Sequence, residues 1–319
     1  KNLLKNILSS IFISCLIVVL DAFIQLIFGT NILGYEYNFD LQPRLSGFFN
    51  EELILGSYLS RLSPIVFLNL GLFFNRSKKL TLSFLFFITF LFIYISVVLA
   101  SGERLSLIYL LLSLIMFMFI LKSLKISSII LICFLVSFFL ISSDSNSRLI
   151  KTTILQLEGS FTTQKDGEIS LKNFSNIPIG HIHHWKSSLL MAKNNIIFGV
   201  GPKKFRIECK NPKYNVPNGC ANHPHSLYFQ LLGETGIVGF SFFIIFFVFI
   251  ISKLVLGLNG DKSFSLDNKI IISNFALFCL FLHYFPFLPN GSFFNNWLNI
   301  ITFIPMGIYL HASYNIKNV

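Results

Sequence analysis

Apolar runs of about 20 residues recur along this chain and restrict its fold more than any other feature. Hydrophobic residues make up 54% of the 319 residues, charged residues only 12%, and the mean hydropathy is +0.70. In lipid, only helices and closed barrels satisfy every backbone polar group. The sequence therefore predicts an all-α polytopic membrane protein with about eight transmembrane helices. The runs lie near residues 7–28, 52–74, 80–99, 105–121, 126–142, 236–256, 270–288 and 296–314.

The net charge of +11 is distributed as it is in membrane proteins rather than in nucleic-acid-binding ones. Lysine and arginine concentrate in short links between apolar runs, the positive-inside pattern of cytoplasmic loops, which predicts both termini inside. The long extracytoplasmic loop at 143–235 then separates N-terminal helices at 1–142 from C-terminal helices at 236–319. The other outer segments are 29–51, 101–104 and 289–295. The chain begins at Lys1, which is compatible with further spans upstream.

Arginines on the outer side depart from that pattern and indicate a bound anion. Arg44, Arg104 and Arg148 all fall in outer segments. The guanidinium group is a planar fork of donors that matches phosphate oxygens. We expect these residues to hold an anionic lipid head group such as a diphosphate. The alternative is that they snorkel along the membrane or pair with carboxylates such as Glu103.

Two groups of histidines lie in the long outer loop. His223 and His225 precede an apolar run, and a neutral imidazole is well suited to accept a proton near neutral pH. Pro224 between them favours an extended backbone that would point the two rings apart. His181 and His184 could share a helical face, but no carboxylate or cysteine stands at a spacing that completes a zinc site. The sequence therefore predicts no metal.

Three further features suggest supporting roles. Asp21 lies inside the first apolar run, where a carboxylate is a functional candidate unless the membrane interface solvates it. Trp185 could contact a glycan or belong to an interfacial aromatic belt. Cys209 and Cys220 could form a disulfide in an oxidising compartment or remain two free thiols.

Four segments together resemble the O-antigen ligase and polymerase family of bacterial membrane glycosyltransferases. They are RLSGFF at 44–49, SGER at 101–104, residues 185–205 with FGVGPKKF at their end, and residues 223–239. The resemblance extends from about Asp21 to the last apolar run. Its weight comes from the order of the segments and from the long outer loop before the histidine motif.

The resemblance implies roles for individual residues. Arg104 matches the arginine that contacts the diphosphate, and His225 matches the histidine of the family's His-Asn pair. Ser226 stands where the asparagine would be, which leaves the partner of that histidine open. His181 stands where family members often carry an arginine, so a second phosphate contact would come from His181 or from Arg148.

The resemblance also implies an activity. Such enzymes sit in the bacterial inner membrane, act on its periplasmic face and use no metal or other cofactor. They take a glycan from an undecaprenyl diphosphate carrier in lipopolysaccharide and polysaccharide biosynthesis. Ligases pass it to lipid A–core, polymerases to another carrier-linked unit, and relatives to protein. We expect a ligase, with a polymerase as the alternative. A transporter is disfavoured because no inverted repeat is evident.

Overall fold

In a computed structural model, residues 2–37, 44–76, 80–121, 123–142, 180–258, 267–286 and 288–317 are described. Regular structure among these residues is helical, apart from an isolated β-bridge between Thr30 and Glu36. A 3₁₀ turn occupies Gly47–Phe49. The α-helices of this described part are α1 (Asn2–Phe28), α2 (Leu55–Arg76), α3 (Leu80–Ala100), α4 (Arg104–Leu121), α5 (Leu124–Ser142), α6 (Gly180–Asn194), α7 (Phe205–Glu208), α8 (Leu227–Leu258), α9 (Lys269–His283) and α10 (Asn296–Lys317).

Six of these helices, α1 to α5 and α8, are long and apolar enough to cross a membrane. The all-helical membrane class is therefore confirmed. The apolar helix α9 ends at His283, not near residue 288, and its 15 residues span only about 22 Å. The hydrocarbon core of a bilayer is about 30 Å thick. The predicted total of eight spans stays a prediction.

The chain divides into two compact units. The first consists of Lys1–Thr152, Leu254–His283 and Ile304–Val319, and the second of Thr153–Lys253 and Tyr284–Phe303. In the first unit, α2 packs against α1, α3, α4 and α9. It is the most enclosed of the six apolar helices, because 72% of its most apolar 18-residue stretch is buried.

Aromatic side chains fill the interior of the first unit. The ring of Phe67 lies 5.3 Å from that of Phe117 and 5.7 Å from that of Tyr94, and Phe275 meets Phe117 edge-on at 6.3 Å. Offset and edge-to-face pairs at such separations are the arrangements that aromatic quadrupoles favour. These contacts join α2, α3, α4 and α9 into one core.

The second unit contains α6, α7 and the first part of α8. Helix α6 lies in the described part of the predicted long outer loop, whereas residues 143–179 of that loop lie outside the described residues. A small core of Met191, Phe205, Cys209 and Tyr214 joins α6 to α7. A disulfide joins Cys209 to Cys220, with their Cα atoms 5.1 Å apart.

Helix α8 begins nine residues before the predicted start at 236, and its backbone is broken at Gly236 (φ 64°, ψ −166°). Around this break the chain pairs with the segment before α7. Val200 donates its N–H to the Gly233 carbonyl at 3.0 Å, and Ile237 donates to the Ile196 carbonyl at 2.8 Å. The FGVGPKKF and GETG segments are thus held side by side by backbone hydrogen bonds.

Candidate functional site

The backbone of His225 sets the position of the candidate base. His225 adopts the left-handed conformation (φ 54°) two residues before α8 begins. Its carbonyl accepts a hydrogen bond from the Asn290 N–H at 3.0 Å. The next residue, Ser226, accepts the Gln230 N–H at 2.9 Å in the first turn of α8. A non-glycine residue held at positive φ costs free energy, and such residues cluster at functional sites.

Four imidazole rings gather at this point. The ring centroid of His225 lies 4.2 Å from that of His223, 4.5 Å from that of His181 and 5.6 Å from that of His184. The expectation that Pro224 would point the rings of His223 and His225 apart is wrong. The left-handed backbone of His225 reverses the alternation that an extended segment would have, and so both rings face the same side.

Burial and crowding favour the neutral form of three of these rings, those of His181, His223 and His225. Burial, followed by the neighbouring rings of His223, His181 and His184, lowers the pKa of His225 to about 3. Burial also lowers the pKa of His223, against a backbone hydrogen bond with Asn290, and lowers the pKa of His181. At neutral pH, His225 is therefore an uncharged imidazole with a free lone pair.

Side chains that follow the histidines of α6 fix this helix against α8 and against the loop after α7. The Trp185 ring stacks on Phe229 with centroids 5.0 Å apart and an interplanar angle of 19°. The Ser188 hydroxyl donates to the Phe229 carbonyl at 2.6 Å, and the Ser187 hydroxyl donates to the Tyr214 carbonyl at 2.7 Å. Trp185 is therefore a packing residue in this structure, and its contacts hold His181 and His184 beside His225.

An open groove of about 710 Å³ lies beside the cluster within the second unit. His223 belongs to both the cluster and the groove. The groove combines two cations with side-chain amides and one indole ring. Its lining includes Lys203, Arg206, Asn222, Asn295, Asn296 and Trp297. Amides suit sugar hydroxyls, an aromatic ring suits the face of a sugar, and cations suit an acidic substituent.

A buried polar network fixes two walls of this groove. Gln230 donates to the Ser292 hydroxyl at 2.9 Å and to Glu234 at 3.0 Å, and its carbonyl oxygen accepts the Phe293 N–H at 2.9 Å. Glu234 accepts the Phe205 N–H at 2.8 Å. Sequence reasoning did not single out Gln230 or Glu234. The signal was available, because polar side chains in an otherwise apolar helix need partners.

In the first unit, Arg104 and Arg44 have different surroundings. Arg104 is the first residue of α4; its side chain is exposed, and no hydrogen bond or ion pair forms to it within the described part of the chain. Arg44 donates to the Leu53 carbonyl at 3.1 Å and the Ser101 carbonyl at 3.4 Å, and it lies 3.5 Å from Glu103. Arg44 thus holds its segment to the turn before α4.

Asp21 is also occupied by structural contacts. It is fully buried, and its carboxylate accepts the Asn31 side-chain amide and the Ile32 N–H, both at 3.1 Å. One turn along α1, Gln25 accepts the Gly47 N–H at 2.7 Å. These bonds hold Asn31, Ile32 and Gly47 of the first outer segment to α1. Arg148 lies outside the described residues.

Arg61, which sequence reasoning missed, is a buried cation within α2. Only 3% of it is exposed, and its guanidinium lies 5.0 Å from the centroid of the Tyr109 ring. It also donates to the Ser57 carbonyl at 3.2 Å and to the Ser57 hydroxyl. An arginine inside a predicted span is the signal that would have found it.

Residues 87–244 match the sequence profile of the family described as O-antigen ligase. No curated protein gives a significant match. The matched range includes Arg104, α6 and His225. Together with the apolar helices, it indicates a bacterial membrane protein that is an enzyme of the glycosyltransferase kind. The RLSGFF motif at 44–49 lies outside this range. The family resemblance is confirmed within it: this chain carries an O-antigen ligase family domain over residues 87–244.

Proposed function

We propose that this chain is an O-antigen ligase-type glycosyltransferase. It moves a glycan from an undecaprenyl diphosphate carrier to an acceptor hydroxyl on the periplasmic face of the inner membrane. The observation that carries this proposal is the uncharged, crowded imidazole of His225 beside an open cationic groove. Transfer to a hydroxyl group requires an uncharged proton acceptor next to a cavity suited to sugars.

The chemical step is a single displacement. The acceptor oxygen attacks the anomeric carbon of the donor glycan, and its proton passes to the free nitrogen of His225. The bond between that carbon and the phosphate oxygen breaks, and undecaprenyl diphosphate leaves with the electron pair. The anomeric carbon is inverted. An anionic diphosphate near the imidazole would raise the pKa of His225 as the proton arrives, because an opposite charge favours the protonated ring.

Arg104 is the proposed diphosphate ligand. Its guanidinium is exposed and makes no hydrogen bond among the described residues, so binding an anion would break no protein contact. A fork of donors at a phosphate stabilises the charge that develops on the leaving group. Arg44 contributes indirectly, because its bonds to Leu53 and Ser101 shape the turn that carries Arg104.

The groove is the proposed binding site for the acceptor. Trp297 offers an aromatic face to a sugar ring, and Asn222 and Asn295 offer amides to hydroxyl groups. Lys203 and Arg206 favour an acceptor that carries an acidic group. Lipid A–core is the acceptor that a ligase uses. A lengthened carrier-linked glycan as the product would instead indicate a polymerase.

Replacement of His225 by asparagine is the decisive test. Asparagine tolerates the left-handed backbone that His225 adopts (φ 54°), so the fold should persist while the base is lost. We expect glycan transfer in membranes to fall by about 10²–10⁴-fold. His183→Asn, in the same helix as His181, is the matched control and should retain activity. Full activity of His225→Asn, with normal accumulation of the protein, would remove His225 as the base.

A second test addresses the diphosphate. Arg104→Lys keeps the positive charge but removes the planar fork, so a bidentate contact predicts a large loss of transfer. Arg104→Gln should lose at least as much. If Arg104→Lys transfers glycan as well as the wild type, the guanidinium has no special role.

A further inference from the structure

Three histidines from distant parts of the sequence bring their nitrogen atoms together in the second unit. His181 and His184 lie one turn apart near the start of α6, and His225 precedes α8. One ring nitrogen from each residue lies within 4.8 Å of one from each of the others. Histidine is the commonest side chain to bind transition metals, through an uncharged ring nitrogen.

The spacing of the rings is close to that of a three-histidine metal site. With metal–nitrogen bonds of about 2.1 Å and tetrahedral angles, ligand nitrogens lie about 3.4 Å apart and ring centres about 5 Å apart. The centroids of His181, His184 and His225 are separated by 4.5, 5.6 and 6.1 Å. Small side-chain rotations would bring the nitrogens from their present spacing to the ligand distance.

A second observation also indicates a missing partner. The Nδ1 atoms of His181 and His184 are buried and have no hydrogen-bond partner among the described residues. The same holds for Nδ1 of His183, so it is the spacing of the rings that selects His181 and His184 as ligands. Buried polar atoms without a partner are rare and require an explanation. A metal ion would occupy such a lone pair. The thiolates of Cys209 and Cys220 cannot compete for the ion, because a disulfide joins them.

We propose that His181, His184 and His225 form a binding site for a divalent transition-metal ion of the Zn²⁺ class, and that the bound ion inhibits glycan transfer. Inhibition follows because the lone pair of His225 can bind the ion or accept the proton of the acceptor, but not both at once. This second part depends on the proposed function; the metal site itself does not.

The donor set determines which ions bind. Imidazole nitrogens suit Zn²⁺, Cu²⁺ and Ni²⁺, whereas Mg²⁺ and Ca²⁺ prefer oxygen ligands. The group of ligands found in the described part of the chain contains three histidines and no carboxylate. The site therefore selects borderline metals, and three protein ligands leave a fourth position for water.

Direct titration of the full chain tests the metal site. The protein is purified in detergent without a histidine tag and titrated with Zn²⁺, with Mg²⁺ as the control ion. We expect one Zn²⁺ per chain and no Mg²⁺ binding. His184→Ala should weaken Zn²⁺ binding more than about tenfold, because a lost ligand costs more than a lost outer-shell partner. His183→Ala, from the same helix, should leave it unchanged.

Two results would overturn the metal site: equal binding of Zn²⁺ and Mg²⁺ by the wild type, or unchanged Zn²⁺ binding by His184→Ala. The first comparison needs no variant and so does not depend on the folding of one. In membranes, added Zn²⁺ should lower glycan transfer and a chelator should restore it. Unchanged or increased transfer with Zn²⁺ bound would overturn the inhibition.

The same measurements separate this proposal from the proposed function. If His225→Asn abolishes transfer but the wild type binds no Zn²⁺, the metal site is refuted and the proposed transferase function is supported. If Zn²⁺ binds through these histidines but His225→Asn transfers glycan normally, the metal site stands. In that case the role of His225 as the base is refuted, and so is the inhibition by Zn²⁺ that depends on it.

Discussion

Gly236 is a position where a single added methyl group should strongly destabilise the second unit. Its backbone (φ 64°, ψ −166°) lies in a region that essentially only glycine occupies. A Cβ atom there would sit 2.3 Å from the Ile197 carbonyl oxygen and 2.6 Å from the Gly199 nitrogen. Both neighbours are backbone atoms, so no flexible side chain can move aside, and the junction itself must open.

The cost of Gly236→Ala follows from two contributions. The disfavoured backbone conformation costs about 1–3 kcal/mol. Opening the junction breaks the hydrogen bond from Ile237 to the Ile196 carbonyl and the one from Val238 to Ile197, each contributing about 1 kcal/mol. We therefore expect a destabilisation of about 3–5 kcal/mol, a large share of the free energy of unfolding of a typical domain.

Two other glycines separate these contributions. Gly34 also has positive φ (81°), but nothing lies within 4 Å of its added Cβ, so Gly34→Ala should cost only the backbone term of about 1–2 kcal/mol. Gly307, inside α10, has open space and no positive φ, so Gly307→Ala should be neutral or stabilising.

The assay is thermal denaturation of the three purified variants in one detergent. The denaturation midpoint should be highest for Gly307→Ala, lower for Gly34→Ala and lowest for Gly236→Ala. Equal midpoints for Gly34→Ala and Gly236→Ala would show that the close backbone contacts around Gly236 add nothing to the destabilisation, and would refute the reasoning.

Three further predictions follow from the surroundings of charged and cysteine residues. Burial raises the pKa of Glu103, although Arg44 and other partners oppose this shift. Because the folded protein binds the proton of Glu103 more tightly than the unfolded chain does, this proton stabilises the fold fully at pH values below the unfolded pKa. The stabilisation is lost as the pH rises through the folded pKa. The melting temperature of the wild type relative to Glu103→Gln should thus increase as pH falls from 7 towards 4.5; a constant difference contradicts this. Cys220→Ser removes the Cys209–Cys220 disulfide, whose sequence separation is 11, and should lower the free energy of unfolding by about 3 kcal/mol. A reductant should destabilise the wild type but not this variant. Lys203→Ala with Arg206→Ala should raise KM for an acidic acceptor more than for a neutral one; equal changes would exclude a role in charge recognition.

The sequence predicts most of the membrane helices because the membrane imposes a strong requirement on length and polarity. The apolar runs locate α1 to α5 within a few residues, since an unpaired backbone or charge in lipid is costly. The start of α8 was missed because Gly236 and Glu234 resemble a loop boundary. Only the tertiary pairing with residues 196–201 makes that stretch helical on both sides of the break.

The candidate site was predicted less completely, for a physical reason. The proposed role of His225 came from its motif, but the sequence could not show that His181 and His184 would lie next to it. The ring contact spans 44 residues from His181 to His225, and it depends on the Trp185 stack and on the backbone conformation of His225. Long-range contacts of this kind leave no periodic pattern in a single sequence.

Most side chains of helix α6 make contacts with other parts of the second unit, which limits the substitutions that this helix can accept. Its first turn carries histidines, Trp185 and Ser188 contact α8, and Met191 enters the small core. The exposed residues of α6 are Lys186, Leu189, Lys193 and the last residue, Asn194. Neutral drift in α6 should therefore be confined to those positions. We expect adaptation to new sugars to arise elsewhere, among the groove-lining residues between Gly291 and Leu298.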